Sequence, residues 1–195
     1  NLTPEQRNDP YRAARMGSFK SFSDGSLGSR SAKLYTDYAD DPGNTGILVI
    51  SPEDLAKRMY KAYRHGLQPA THCIGDKALE VTLDAVEYCL QQGLKDGMTP
   101  EEQAKRLPFR IIHAQMATPE LIERMKKLPI VLDIQPTFLM TDLHWIEERV
   151  GKERAVLSYP WKTYLDAGLI MAGGSDAPVE SFNPWIGIYA TVTRQ

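Results

Sequence analysis

The sequence predicts an α/β fold built on a parallel sheet. Two observations carry this. Short apolar runs of strand length recur along the 195 residues, each followed by a loop and a helix pattern. The last three runs are nearly continuous in apolar character, as strands covered on both faces are.

The elements follow in order. Strands are expected at Ser18–Phe22, Gln68–His72, Phe109–His113, Ile130–Ile134 and Leu169–Gly173. The first helix opens at Ser51-Pro52-Glu53-Asp54, an N-cap followed by proline at the first helical position and acids in the first turn. Leu55, Met59, Ala62 and Tyr63 share its apolar side, and His65-Gly66 closes it. A second helix runs from about Lys77 to Gln92, with Leu79, Leu83, Val86 and Leu90 on one side. Thr118-Pro119-Glu120 repeats the opening signal, Trp161 to Ala167 forms another helix ending at Gly168, and a last helix follows Pro184. Asp24 to Asn44 and Leu94 to Pro108 read as insertions. The first is rich in Ser, Gly, Asp and Tyr, as pocket-shaping loops are.

The strand starts are 50, 41, 21 and 39 residues apart. A (β/α)₈ barrel spends roughly 30 residues per unit, so the chain holds about five units. Five parallel strands make either an open doubly wound sheet or the later part of a barrel.

Composition narrows the function classes. Apolar residues make up 42% and charged residues 25%, enough for a packed core. Lys+Arg 23 against Asp+Glu 25 leaves a net charge of -2, without the basic excess of proteins that coat nucleic acid or anionic membranes. Cys73 and Cys89 are too few for a disulfide scaffold and lack a zinc-ribbon spacing. No apolar run approaches the ~18 residues of a membrane span. The chain opens at Asn1 and ends at Gln195 without a stop signal, so it reads as a piece of something larger, and its compartment is left open.

The chemistry gathers at strand ends. Lys20 lies in the first strand, His72 closes the second, His113 closes the third, and Asp176 follows the fifth in Gly173-Gly174-Ser175-Asp176-Ala177-Pro178. The C-terminal edge of a parallel sheet is where α/β active sites are built. Nitrogen and oxygen donors meeting there suit zinc or another divalent transition metal. The bland alternative makes each histidine a satisfied structural residue and Asp176 the cap of a turn. Lys20 resists it, because lysine is almost never buried unpaired.

Four ordered motifs carry a resemblance. They are Phe19-Lys20-Ser21-Phe22-Ser23-Asp24-Gly25-Ser26-Leu27-Gly28-Ser29-Arg30, Thr71-His72-Cys73-Ile74-Gly75-Asp76-Lys77-Ala78, Arg110-Ile111-Ile112-His113-Ala114-Gln115 and Gly174-Ser175-Asp176-Ala177-Pro178-Val179. From Gly17 to about Trp185 the chain resembles the metal-dependent amidohydrolases, in particular the YtcJ-like branch that includes N-substituted formamide deformylases. The resemblance implies a TIM-type barrel of which this chain is strands 4 to 8, without strands 1 to 3 and without the small β-sandwich. It also implies a ligand set of Lys20, His72, His113 and Asp176 for one or two divalent ions, Lys20 serving as a CO₂-derived carbamate, because a free ammonium has no lone pair to give. The His-x-His of the first strand is absent. His65 and His144, the remaining histidines, fall in a helix end and a loop.

The implied reaction is metal-assisted hydrolysis of a carbon–nitrogen bond, amide or formamide, in a small-molecule substrate. Asp176 takes the proton of the attacking water and passes it to the leaving amine. This chain alone is expected to be weak or inactive, and its two open sheet edges favour self-association. Neither nucleic acid nor membrane is an expected partner.

The remaining features are secondary. The Asp24–Arg30 loop lacks the Gly-Lys-Ser/Thr ending of a phosphate loop. Arg30 is available there to a substrate carboxylate or to a structural acid. Cys73 should pack behind the sheet, since adjacent strand residues face opposite sides. Phe138, Met140, His144 and Trp145 form an irregular stretch that lines the pocket or packs on itself, and Trp185 is assigned to the core. Two other readings compete with the hydrolase: a non-catalytic regulatory or binding protein on the same barrel, and a free-standing α/β binding domain with structural histidines.

Overall fold

The computed structural model describes residues 9, 11 and 17–193. Five strands form one parallel sheet: β1 (Ser18–Phe22), β2 (Gln68–Cys73), β3 (Phe109–His113), β4 (Ile130–Ile134) and β5 (Met171–Gly173). Their order across the sheet is the order along the chain, β1-β2-β3-β4-β5. A doubly wound sheet needs a point where the strand order reverses. There is none among the described strands, so the sheet is wound as a segment of a barrel wall.

The register fixes two faces. Ser21, Thr71, Ile111, Leu132 and Met171 are successive partners in one row across the sheet. The first four are buried, and this row meets the helices. Phe22, His72, Ile112, Asp133 and Ala172 form the neighbouring row on the opposite face. Phe22 and Ala172 at the ends of that row are exposed. The alternation is that of a wall with one face buried under helices and an inner face that carries His72 and Asp133.

The helices carry their own signals. In α1 (Pro52–Arg64) the Ser51 side chain accepts from the Asp54 amide, and Gly66 ends the turn at φ 75. α2 (Asp76–Lys95) is twenty residues long and buries Leu79, Leu83, Val86 and Cys89. The second insertion folds as α3 (Pro100–Ala104) behind a Thr99–Glu102 capping box. Thr118 caps α4 (Pro119–Met125). The stretch expected to be irregular is helical instead: α5 (Pro136–Asp142) starts directly at Pro136, followed by α6 (Ile146–Val150) and α7 (Lys152–Ala155). Pro136 ends β4 and supplies the first helical φ of α5, so one residue does both. α8 (Trp161–Asp166) and α9 (Pro184–Thr193) complete the order.

The first insertion is a packed excursion. Leu27, Ala32, Leu34 and Tyr38 are at most 1% exposed. Arg30 and Arg149 both pair with Asp40 and tie the loop to α6. Cys73 is buried on the helical side, as strand alternation requires. Trp185 departs from its expected place: it is 72% exposed, on the outer side of α9. No helix among the described residues is long and apolar enough to cross a membrane.

Candidate metal centre

The site forms at the C-terminal rim of the sheet. His72 lies on the inner face by alternation. His113 does not: its register partner is Cys73, which faces the helices. Its backbone takes a left-handed turn, φ 76, and Ala114 follows at φ 45. Non-glycine residues seldom adopt such angles, which concentrate where a site demands them. The turn brings the imidazole against His72, with ring centroids 4.4 Å apart at an edge angle of 73°. Asp176, also left-handed at φ 53, sets a carboxylate oxygen 4.0 Å from His113 Nε2.

Lys20 flanks this group. Its Nζ lies 5.0 Å from the centroid of the Phe22 ring, which stands 5.1 Å from His72. Lys20, Arg110, Asp133, Gln135 and Asp176 line one cleft of about 340 Å³ on the inner face. Phe138 of α5 stacks on His113 at 5.7 Å and closes its far side. The structure thus brings His72, His113 and Asp176 together with Lys20 beside them. Arg30 lies apart from them: Nε and Nη2 hold the two oxygens of Asp40 at 3.0 and 2.8 Å, so a structural acid occupies its fork.

Both imidazoles are held neutral. Burial pushes the pKa of His113 down to about 3, and the nearness of His72 and Lys20 lowers it further. Burial also lowers His72, with Lys20 adding to the effect, against the carbonyl of Gly25 and Asp176. His72 Nε2 lies 2.9 Å from the Gly25 carbonyl oxygen. A carbonyl only accepts, so Nε2 carries the proton and Nδ1 keeps its lone pair.

Sequence reasoning passed over Asp24 as a site residue. It is 2% exposed and organises the rim. Oδ1 accepts from the Ile74 amide at 3.0 Å, and Oδ2 accepts from Gly75 and Lys33, each at 2.9 Å. Burial raises its pKa to about 7 against these amides. One carboxylate therefore fastens the loop after β1 to the loop after β2, and its Oδ1 stands 3.6 Å from His72 Nε2. The signal was present: an aspartate two residues past the end of a strand, before Gly25.

Comparison with known proteins gives this rim a context. The family model described as amidohydrolase family matches residues 2–195. The chain belongs to the amidohydrolase family. It is 40% identical over 192 residues to the amidohydrolase-type protein YtcJ of Bacillus subtilis, covering 98% of this chain and 34% of that protein. It is 39% identical over 181 residues to the protein LONG AFTER FAR-RED 3 of Arabidopsis thaliana, covering 92% of this chain and 29% of the other. The chain therefore spans about a third of the length of the curated relatives it matches. Two solved structures, uncharacterized metal-dependent hydrolases from Pyrococcus furiosus and Pyrococcus horikoshii, superpose with TM-scores of 0.80 and 0.81 at 35% and 36% identity. They cover 93% and 99% of this chain, which in turn covers 35% and 38% of theirs.

The two Pyrococcus proteins are described as metal-dependent hydrolases, and the residues present at this rim fit part of a divalent-ion site. Neutral imidazoles are the ligand form of histidine. His72 Nδ1 keeps its lone pair because Nε2 faces the Gly25 carbonyl, and His113 Nε2 faces Asp176 at 4.0 Å. No three His, Cys, Asp or Glu side chains among the described residues close into a cage. The donors are instead two imidazoles and one carboxylate meeting in pairs, with Lys20 at the edge.

Proposed function

We propose that this chain forms the later part of the active site of a metal-dependent hydrolase that cleaves carbon–nitrogen bonds other than peptide bonds, in small amide or formamide-like substrates. The observation that carries the reading is the left-handed turn at His113, which sets its imidazole against His72 and within 4.0 Å of Asp176 on a single rim. His72, His113 and Asp176 would hold zinc or a similar divalent ion, with Lys20 joining them as a carbamate. When bound, the ion supplies an electrophile for the scissile carbonyl and acidifies water.

The side chains divide the remaining work. Asp176, part exposed on the open side, is placed to accept a proton from water and deliver it to the departing amine. His72 and His113, held neutral by burial, offer lone pairs and take no part in proton transfer. Lys20, Arg110 and Asp133 give the cleft polar walls.

The test is an assay of the purified full-length protein that carries this chain on a panel of small amides and formamides, before and after chelation and refilling with Zn²⁺. Activity should fall at least 100-fold in Asp176→Asn and in the metal-free protein. Equal rates for Asp176→Asn and the parent protein would overturn the role of Asp176. Stoichiometric metal binding without turnover on any member of the panel would favour the regulatory alternative.

A further inference from the structure

Gln135 is the last residue before α5 and sits at the end of β4, facing the same cleft as Lys20 and Asp176. It is 6% exposed. Its amide nitrogen donates to the Asp133 carbonyl oxygen at 3.0 Å. A carbonyl oxygen only accepts, so this contact decides which end of the amide is which: the nitrogen faces Asp133, and Oε1 is the end left over.

That Oε1 is buried and has no hydrogen-bond partner. His113 Nδ1 is buried and has none either. Ile112 pairs with Asp133 across β3 and β4, so His113 and Gln135 leave adjacent strands at the same rim, and Phe138, whose amide donates to the Gln135 carbonyl at 3.1 Å, stacks on the His113 ring. Two unsatisfied buried atoms of opposite capacity, on neighbouring side chains, each carry a desolvation cost that one hydrogen bond would remove. The last torsion of glutamine is soft, so Oε1 is free to turn toward Nδ1 without moving the backbone.

From this juxtaposition we infer that Gln135 is a positioning residue: its Oε1 accepts the Nδ1 proton of His113 and thereby leaves the lone pair on Nε2, the nitrogen that faces Asp176. The inference rests on the reading of His113 as a metal ligand. The two histidines then use opposite nitrogens. His72 gives its Nε2 proton to Gly25 and keeps Nδ1 free, while His113 gives its Nδ1 proton to Gln135 and keeps Nε2 free. Both second contacts come from the rim itself, one from a backbone carbonyl and one from a side chain, and each fixes a tautomer and a ring orientation. Phe138, stacked on His113, restrains the same ring from its face.

The experiment reads the tautomer directly. Metal-free protein with ¹⁵N-labelled histidine is examined by NMR, in the parent and in Gln135→Leu and Gln135→Glu. The parent should show His113 protonated on Nδ1. Gln135→Leu should show a mixture of tautomers or the Nε2–H form, and Gln135→Glu, which keeps an acceptor, should restore Nδ1–H. Titration with Co²⁺ should show affinity about 10–100-fold weaker in Gln135→Leu and within a few-fold of the parent in Gln135→Glu. An Nε2–H tautomer in the parent, or Gln135→Leu indistinguishable from the parent in both measurements, overturns the role of Gln135. Neither result touches the amide panel, so the hydrolase reading stands or falls separately. If Gln135→Leu does not fold, the parent's tautomer and the Gln135→Glu titration still decide.

Discussion

His72 and His113 meet edge to face at 4.4 Å although strand alternation assigns them to opposite sides of the sheet. The left-handed backbone at His113 resolves the conflict, and the cost is a buried imidazole that cannot easily take a proton. Its pKa is pushed from 6.5 down to about 3 by burial. As pH falls below 6.5, the unfolded chain binds a proton there and the native protein does not. The stability this residue supports is therefore complete above pH 6.5 and declines toward pH 3. Metal-free protein should lose about 3 kcal/mol of urea-measured stability between pH 6.5 and 4 through this group, at a slope of about 1.4 kcal/mol per pH unit. His72, shifted in the same direction, adds to the decline. A His113→Gln variant should show a slope shallower by one proton, and an unchanged slope would contradict the assignment.

Asp24 joins three backbone amides from two loops. Asp24→Ala leaves all three buried without an acceptor, at an expected cost of about 4 kcal/mol. Asp24→Asn keeps the shape but turns one acceptor into a donor facing an N–H, and should cost about half as much. Chemical denaturation at pH 7 measures both.

Gly75 sits where the same carboxylate draws two chain segments together. Oδ2 of Asp24 accepts from Gly75 and Lys33 at once, and a Cβ on Gly75 would stand 2.0 Å from the Lys33 carbonyl oxygen. The obstacle is backbone, which cannot rotate away. Gly75→Ala should cost about 2–3 kcal/mol, since alanine is also a poorer N-cap for α2 than glycine, and a thermal melt will show the drop.

Arg30 and Asp40 form a loop clasp. Arg30→Ala should speed chymotrypsin cleavage in the 24–50 loop, where Tyr35 is 42% exposed. Asp40→Ala should speed it further, because Arg149 loses its partner as well. Neither change should alter KM for a cleaved amide by more than about twofold. A rise in KM confined to Arg30→Ala would restore a substrate contact for that residue.

Much of the fold was legible because each unit announces its own limits. β1, β3 and β4 were read at their observed bounds, since Phe22, His113 and Ile134 end apolar runs at polar or glycine-rich loops. The Ser51 and Thr118 openings located α1 and α4 for the same reason. α5 escaped because Pro136 was taken only as a strand breaker, and Trp185 because large apolar side chains are usually covered. At the rim, His72, His113 and Asp176 could be named from their places at strand ends, and Lys20 as a lysine inside an otherwise apolar strand. What made His113 reach the rim is a backbone angle, and what made Gln135 and Asp24 matter is the set of amides and carbonyls around them. Neither is written in residue order.

The spatial sequence of β1 through β5 is also the order of their synthesis. Each strand leaving the ribosome finds its permanent neighbour already made, and no pairing waits for a distant later segment. Among the described strands, only the outer edge of β1 and the newest edge lie bare at any moment of translation, so the hazard of mispairing does not accumulate along the nascent polypeptide.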